Sequence, residues 1–207
     1  MSKVFSLSRF AVTAKISRFF IGPVLCVFLA VMAILLMSPR VIYAQDATIE
    51  NVVVANSNTN LLLYCSVANS FTPEMLEGVH NGIPVTFTYF VNLEEERSFF
   101  PDREIVSFSF NHTLSYDTLK EEYQISSSLE PGKTVTSSSF DQAKRLMADV
   151  DGLRVTALNN LRPEGKYVLS IKARLAKKTL PLNFHYVVPF WHLWDFETDW
   201  QTVEFRY

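Results

Sequence analysis

The residues of this chain with the most adaptable chemistry are four histidines (His80, His112, His185 and His192) and two cysteines (Cys26 and Cys65). No two histidines stand four residues apart, so the metal-binding spacing of a helix face is absent. His185, His192 and Asp195 could still meet in space, and such a set would suit a hydrolase or a metalloenzyme. The sequence has no glycine-rich phosphate loop, no G-x-S-x-G elbow, no H-E-x-x-H and no C-x-x-C. Its six glycines leave little material for a phosphate cradle. The expectation is a protein that is not an enzyme, with no catalytic residues, no metal and no cofactor. Cys65 falls inward in TNLLLYCSVAN, alternating with Leu61, Leu63 and Val67. It reads as a small buried hydrophobe, with a nucleophile or an intermolecular disulfide as alternatives.

The other concentration of chemistry is aromatic. Trp191, Trp194 and Trp200, the only tryptophans, fall within PFWHLWDFETDW. Such rings can fill a core, form a recognition platform for a protein or sugar, or lie at a membrane interface. Asp195, Glu197 and Asp199 disfavour the last role beside an anionic surface. Core filling and a recognition platform both stay open, and a contact surface, if the segment forms one, is expected at Trp191, Trp194 and Trp200.

Elements that could position these groups follow from period-two alternation. Ile49–Ala55 and Leu61–Val67 read as a strand pair across the turn at Asn56–Asn60. Thr72 can cap a helix, with Pro73 at its first position and Glu74 facing the positive end of its dipole. That helix should end near Asn81-Gly82. Ile83–Leu93 reads as a strand ended by the solvated acids Glu94-Glu95-Glu96. Further strands are expected at Glu104–Leu114, Lys120–Ser128, Arg154–Leu158, Lys166–Lys177, Phe184–Phe190 and Phe196–Tyr207. A second helix is expected from a Ser138 or Ser139 cap, carrying Phe140, Ala143, Leu146, Met147 and Val150 at helical spacing and ending at Asp151-Gly152. The fold class expected is mainly β: an antiparallel, immunoglobulin-like β-sandwich with two short helices.

Charge divides the chain. Residues 1–44 carry Lys3, Arg9, Lys15, Arg18 and Arg40 and no acid, whereas the remainder holds 14 basic and 21 acidic groups. Within the basic part, residues 19–37 form an uncharged run of 19 residues. As a helix this run is about 28 Å long, close to the hydrocarbon thickness of a bilayer. The chain divides into a basic cytoplasmic region (1–18), a transmembrane or signal helix (19–37), a linker (38–46) and an exported domain (47–207). The positive-inside rule places the C-terminus outside. Cleavage after Ala44 and retention as an uncleaved anchor both remain open, since Ile42 is bulky for a cleavage site and the run is long for a signal. The acidic exported part would repel phosphates, so nucleic acid is not an expected partner.

Several short motifs carry a family resemblance. They are Gly82-Ile83-Pro84-Val85-Thr86-Phe87 after a short helix, Leu114-Ser115-Tyr116-Asp117, Phe140-Ala143-Leu146, and Leu161-Pro163-Gly165-Tyr167 leading into Ile171-Lys172-Ala173-Arg174. Leu180-Pro181 and Phe196-Thr198-Asp199-Trp200 complete the series. In this order the chain resembles a bacterial envelope family, domain of unknown function 4390. The resemblance implies a small exported or membrane-anchored protein of a Gram-negative bacterium and brings no activity with it. The motif residues read as turn and packing positions.

The function expected is a noncatalytic protein–protein interaction or sensor-accessory module. It would be held in the inner membrane through residues 19–37, or released to the periplasm, with another envelope protein as its partner. The alternative is a glycan- or lipid-binding module built on the same tryptophans.

Overall fold

The computed structural model describes residues 47–176 and 196–207. The expected apolar helix at 19–37 and the expected strand at Phe184–Phe190 lie outside these residues. Among those described, no helix is long and apolar enough to cross a membrane.

The described chain is mainly β, with nine strands and two α-helices. The strands are β1 (Thr48–Asn56), β2 (Asn60–Ala68), β3 (Val85–Glu95), β4 (Arg103–Asp117), β5 (Glu122–Ser127), β6 (Thr134–Ser137), β7 (Asp149–Ala157), β8 (Lys166–Leu175) and β9 (Gln201–Arg206). The helices are α1 (Pro73–His80) and α2 (Phe140–Ala148). One sheet has the order β1-β2-β7 and the other β6-β5-β4-β3-β8-β9. Every pairing is antiparallel.

Alternation explains why these segments are strands. Leu61, Leu63, Cys65 and Val67 of β2 point to the same side and are buried. So are Val85, Phe87, Tyr89, Val91 and Leu93 of β3, and Tyr167, Leu169, Ile171, Ala173 and Leu175 of β8. All belong to one apolar cluster, so both sheets share a core. Each large side chain buried in this way contributes about 1.5–3 kcal/mol.

Helix α1 begins and ends as expected. Thr72 Oγ1 accepts from the Met75 N–H at 3.3 Å. At the far end Gly82 has φ +82°, a left-handed conformation open to glycine. Its N–H bonds the Val79 carbonyl while the Ile83 N–H reaches the Gly78 carbonyl, both at 3.0 Å. These are the two bonds of a Schellman stop.

Four expectations are corrected. Glu94-Glu95-Glu96 does not break β3 as a solvated run, because β3 continues through Glu95 and that side chain is buried at 6% exposure. Glu95 keeps the parity of Val91 and Leu93 and is neutralised by arginines: Arg103 Nε lies 2.8 Å away, an Arg162 nitrogen 3.5 Å and an Arg97 nitrogen 3.7 Å. Helix α2 stops at Ala148, so Val150 lies in β7, and Asp151-Gly152 is a bulge within that strand. Ser139 precedes α2 without a side-chain cap bond; Ser137 Oγ instead bonds the Ser139 carbonyl and Gln142 Oε1, each at 3.0 Å. Finally, Thr134–Ser137 forms β6, which polar Thr-Val-Thr-Ser did not announce.

The turn before β8 is closed by an aromatic side chain. The Tyr167 hydroxyl accepts a hydrogen bond from the Arg162 N–H at 2.6 Å. A Cβ on Gly165 would stand 2.8 Å from the Tyr167 ring and hydroxyl, so only glycine leaves room for that ring.

Candidate functional site

Two surfaces of this fold carry groups able to bind something. The first is the outer face of the six-stranded sheet. Opposite the buried residues of β8, Lys172 and Arg174 point outward. Phe90 of β3 is paired with Lys172 across the ladder. The Lys172 ammonium stands 4.9 Å from the Trp200 ring centre and 5.5 Å from that of Phe90, and the Arg174 guanidinium lies 5.1 Å from Phe90. Glu197 Oε1 is 2.5 Å from Lys172 Nζ, fixing the cation between ring and carboxylate. Contacts of this kind contribute about 0.5–1 kcal/mol each where water has access.

Of the three expected binding residues, only Trp200 is described. It is 47% exposed, so its ring is not core. Trp191 and Trp194 lie outside the described residues, as do His185, His192 and Asp195. The residues preceding Trp200 are held on β8 by Thr198. Its hydroxyl accepts from the Ala173 N–H at 3.0 Å and its own N–H reaches the Ala173 carbonyl at 2.9 Å.

The second surface is a cleft of about 890 Å³. Its walls come from β7, from Tyr64 to Ser66 of β2, from Phe110 and His112 of β4, and from the turn between β5 and β6. His112 is the group of chemical interest. Its Nδ1 lies 3.1 Å from the Met147 carbonyl. A carbonyl only accepts, so Nδ1 carries the proton and Nε2 keeps a lone pair. Burial lowers the His112 pKa more than the Met147 contact raises it, which keeps the imidazole neutral. Tyr89 braces the same carbonyls, donating to Met147 at 3.0 Å and to Ala148 at 3.2 Å.

Cys65 borders the cleft but is a poor nucleophile. Burial, reinforced by nearby Asp149, pushes its thiol up to about 12. Only a thiolate attacks, so at neutral pH this sulfur acts as the small hydrophobe its position suggests. Asp149 itself is raised by partial burial; Arg145 opposes that shift and Asp151 adds to it. Among the described residues no group of three or more His, Cys, Asp or Glu side chains could hold a metal ion. Sequence reasoning missed His112 as a site residue because its partner carbonyl is 35 residues away.

Comparison with known proteins bears on this arrangement. The family Domain of unknown function (DUF4390) matches residues 44–204. The chain belongs to the DUF4390 family. No curated protein and no solved structure matches it. The geometry explains several of the residues through which the chain resembles DUF4390. Gly82 supplies the left-handed stop of α1. Asp117 Oδ1 accepts from the N–H groups of Leu119 and Lys120 at 3.0 and 3.1 Å and so closes the turn after β4. Gly165 and Tyr167 form the turn before β8. Phe196 packs edge-on against Phe87 at 5.0 Å, and Thr198 is buried against β8. In this chain these are turn and packing positions.

Proposed function

We propose that this chain is a noncatalytic docking module of the bacterial envelope, an immunoglobulin-like β-sandwich that binds another envelope protein on the outer face of its six-stranded sheet. The fold assignment is supported by strand order. In an immunoglobulin variable-type domain one sheet contains A, B and E, and the other runs G-F-C-C′-C″. Here β1-β2-β7 and β9-β8-β3-β4-β5 take those places in chain order. Tyr167 at the start of β8, bonded back to Arg162, occupies the position of the tyrosine corner at the start of strand F. The sixth strand, β6, lies beside β5 and not beside β7.

The observation that carries the docking role is Trp200. A half-exposed tryptophan ordered by Lys172 is a rigid, amphipathic anchor, the residue type enriched at binding hot spots. Phe99 and Phe100, exposed at 93% and 72% in the turn between β3 and β4, add a second apolar patch. The sequence of residues 1–44 supports an inner-membrane or periplasmic location with the domain exported.

The test is in-cell crosslinking of the tagged full chain, with mass spectrometry of what is recovered. A stoichiometric protein partner that is lost with Trp200→Ala, while the variant stays folded, is the expected result. Recovery of the same partner with Trp200→Ala removes the assigned surface. Absence of any protein partner, together with a tryptophan fluorescence response to glycan or lipid, replaces the reading with a glycan- or lipid-binding module.

A further inference from the structure

We infer that the free edge of β7, with the cleft beside it, accepts an extended segment of a partner protein by β-strand addition. This inference rests on the docking reading above and assigns it a second, separate surface. Among the described residues, strand β7 pairs with β2 on one side only and ends its sheet. Beyond that ladder, the one backbone hydrogen bond made by a β7 amide is from Asp149 N–H to the Arg145 carbonyl, among the described residues. An edge strand directs alternate N–H and C=O groups outward, and another extended backbone is the ligand that matches such a row.

The cleft fits that ligand. Asp149, Val150, Asp151, Gly152, Leu153 and Arg154 all line it. Residues of both parities border the cavity around the bulge at Gly152, so it reaches both sides of β7, and it also touches Asn51 of β1 and Tyr64, Cys65 and Ser66 of β2. In a variable-type sandwich the D strand lies beside E at this place. Here β6, which follows β5 in the chain, pairs with β5, and none of the described strands takes the place beside β7.

Chemistry selects the incoming strand. On its inward side stand Phe110, the neutral ring of His112, and Leu129 and Leu146, which are 45% and 36% exposed. Apolar side chains at alternate positions of the ligand would cover these leucines. On its outward side Asp149 and Asp151 are exposed, and the Asp151 carboxylate disfavours the negative charge of Asp149. A lysine or arginine opposite them relieves that repulsion. Arg154 lies farther along and favours an acid there. The bulge at Gly152 and the two carboxylates oppose indiscriminate edge pairing, which favours a matched partner over a second copy of the chain.

The test uses the full chain in detergent micelles and a phage-displayed library of short random peptides. Enriched peptides should alternate apolar residues with at least one basic residue. N-methylation of a single ligand amide that faces β7 should weaken binding about tenfold, since it removes one main-chain hydrogen bond. N-methylation of the neighbouring amide should not. Amide exchange at residues 149–155 should slow when peptide binds. Peptides that slow exchange around Trp200 and leave 149–155 unchanged overturn strand addition while the docking reading stands. Failure of any peptide to enrich also overturns it, and the in-cell crosslink then decides the docking reading alone.

Discussion

The Tyr167 hydroxyl and the Arg162 backbone nitrogen, 2.6 Å apart, close the turn that leads into the central strand β8. Two substitutions dissect this contact. Tyr167→Phe keeps the ring but leaves the Arg162 N–H without its acceptor, which costs about 1–3 kcal/mol. Gly165→Ala forces a methyl group onto the packed ring and costs about the same by overpacking. Denaturant titration of the domain of residues 47–207 should show both losses with an unchanged slope. A Tyr167→Phe midpoint equal to the parent's would mean that water replaces the hydroxyl.

Alkaline stability should report on Cys65. The thiol moves from 9.0 to about 12 on folding, so between those values the unfolded chain has released a proton that the folded chain still holds. Stability is therefore fully present below pH 9 and falls as pH rises toward 12. Burial raises the Tyr89 hydroxyl as well, in the same direction. Cys65→Ala should flatten the alkaline loss. In a Cys26→Ser background, Cys65 should resist iodoacetamide at pH 8 until the domain is unfolded; labelling at the unfolded rate in the native protein would contradict its burial.

His112 gives the opposite pH dependence. Its folded pKa is depressed below 6.5, so on acidification the unfolded chain takes up a proton before the folded chain does. Its contribution is complete above pH 6.5 and is lost as pH falls through the lower folded value. Denaturation midpoints of the parent and of His112→Gln should converge between pH 7 and pH 5. Parallel curves over that range would show that His112 does not titrate there.

The arginines around Glu95 should differ in importance. Arg103 is nearest at 2.8 Å, against 3.5 Å for Arg162 and 3.7 Å for Arg97. Removing one partner of a buried pair leaves the other charge uncompensated. Because the arginines remain partly open to solvent, Arg103→Met should cost about 1–3 kcal/mol, below the range for a fully buried pair. Arg97→Met should cost less. Thermal melts of the two variants provide the comparison, and equal losses would contradict the assigned geometry.

Much of the fold was legible because period-two burial runs through β2, β3 and β8 almost without interruption. Helix α1 was legible from Thr72, Pro73 and Gly82, whose roles are local. Glu95 was misread because its residue type outweighed its parity, although the alternation from Phe87 through Leu93 already placed it inward. The boundary between α2 and β7 was misplaced because Val150 satisfies both a helical spacing from Met147 and a strand alternation. The cleft could not be read at all. His112, Met147 and Tyr89 meet through contacts spanning 35 and 58 residues, and no local pattern encodes them. Of the expected binding residues, Trp200 is exposed at the surface, and Trp191 and Trp194 are outside the described residues.

The pairing of β2 with β7 also sets an order of events during folding. Residues Asn60–Ser66 meet Ala157–Asp149, so more than eighty residues must emerge before this ladder can close. Until then the β1–β2 hairpin presents Leu61, Leu63, Cys65 and Val67 with only part of their eventual covering. A two-stranded hairpin is marginal in water by itself. The amino-terminal hairpin thus forms early as local structure and becomes secure late, and the interval between is when the nascent domain is most exposed to misassociation.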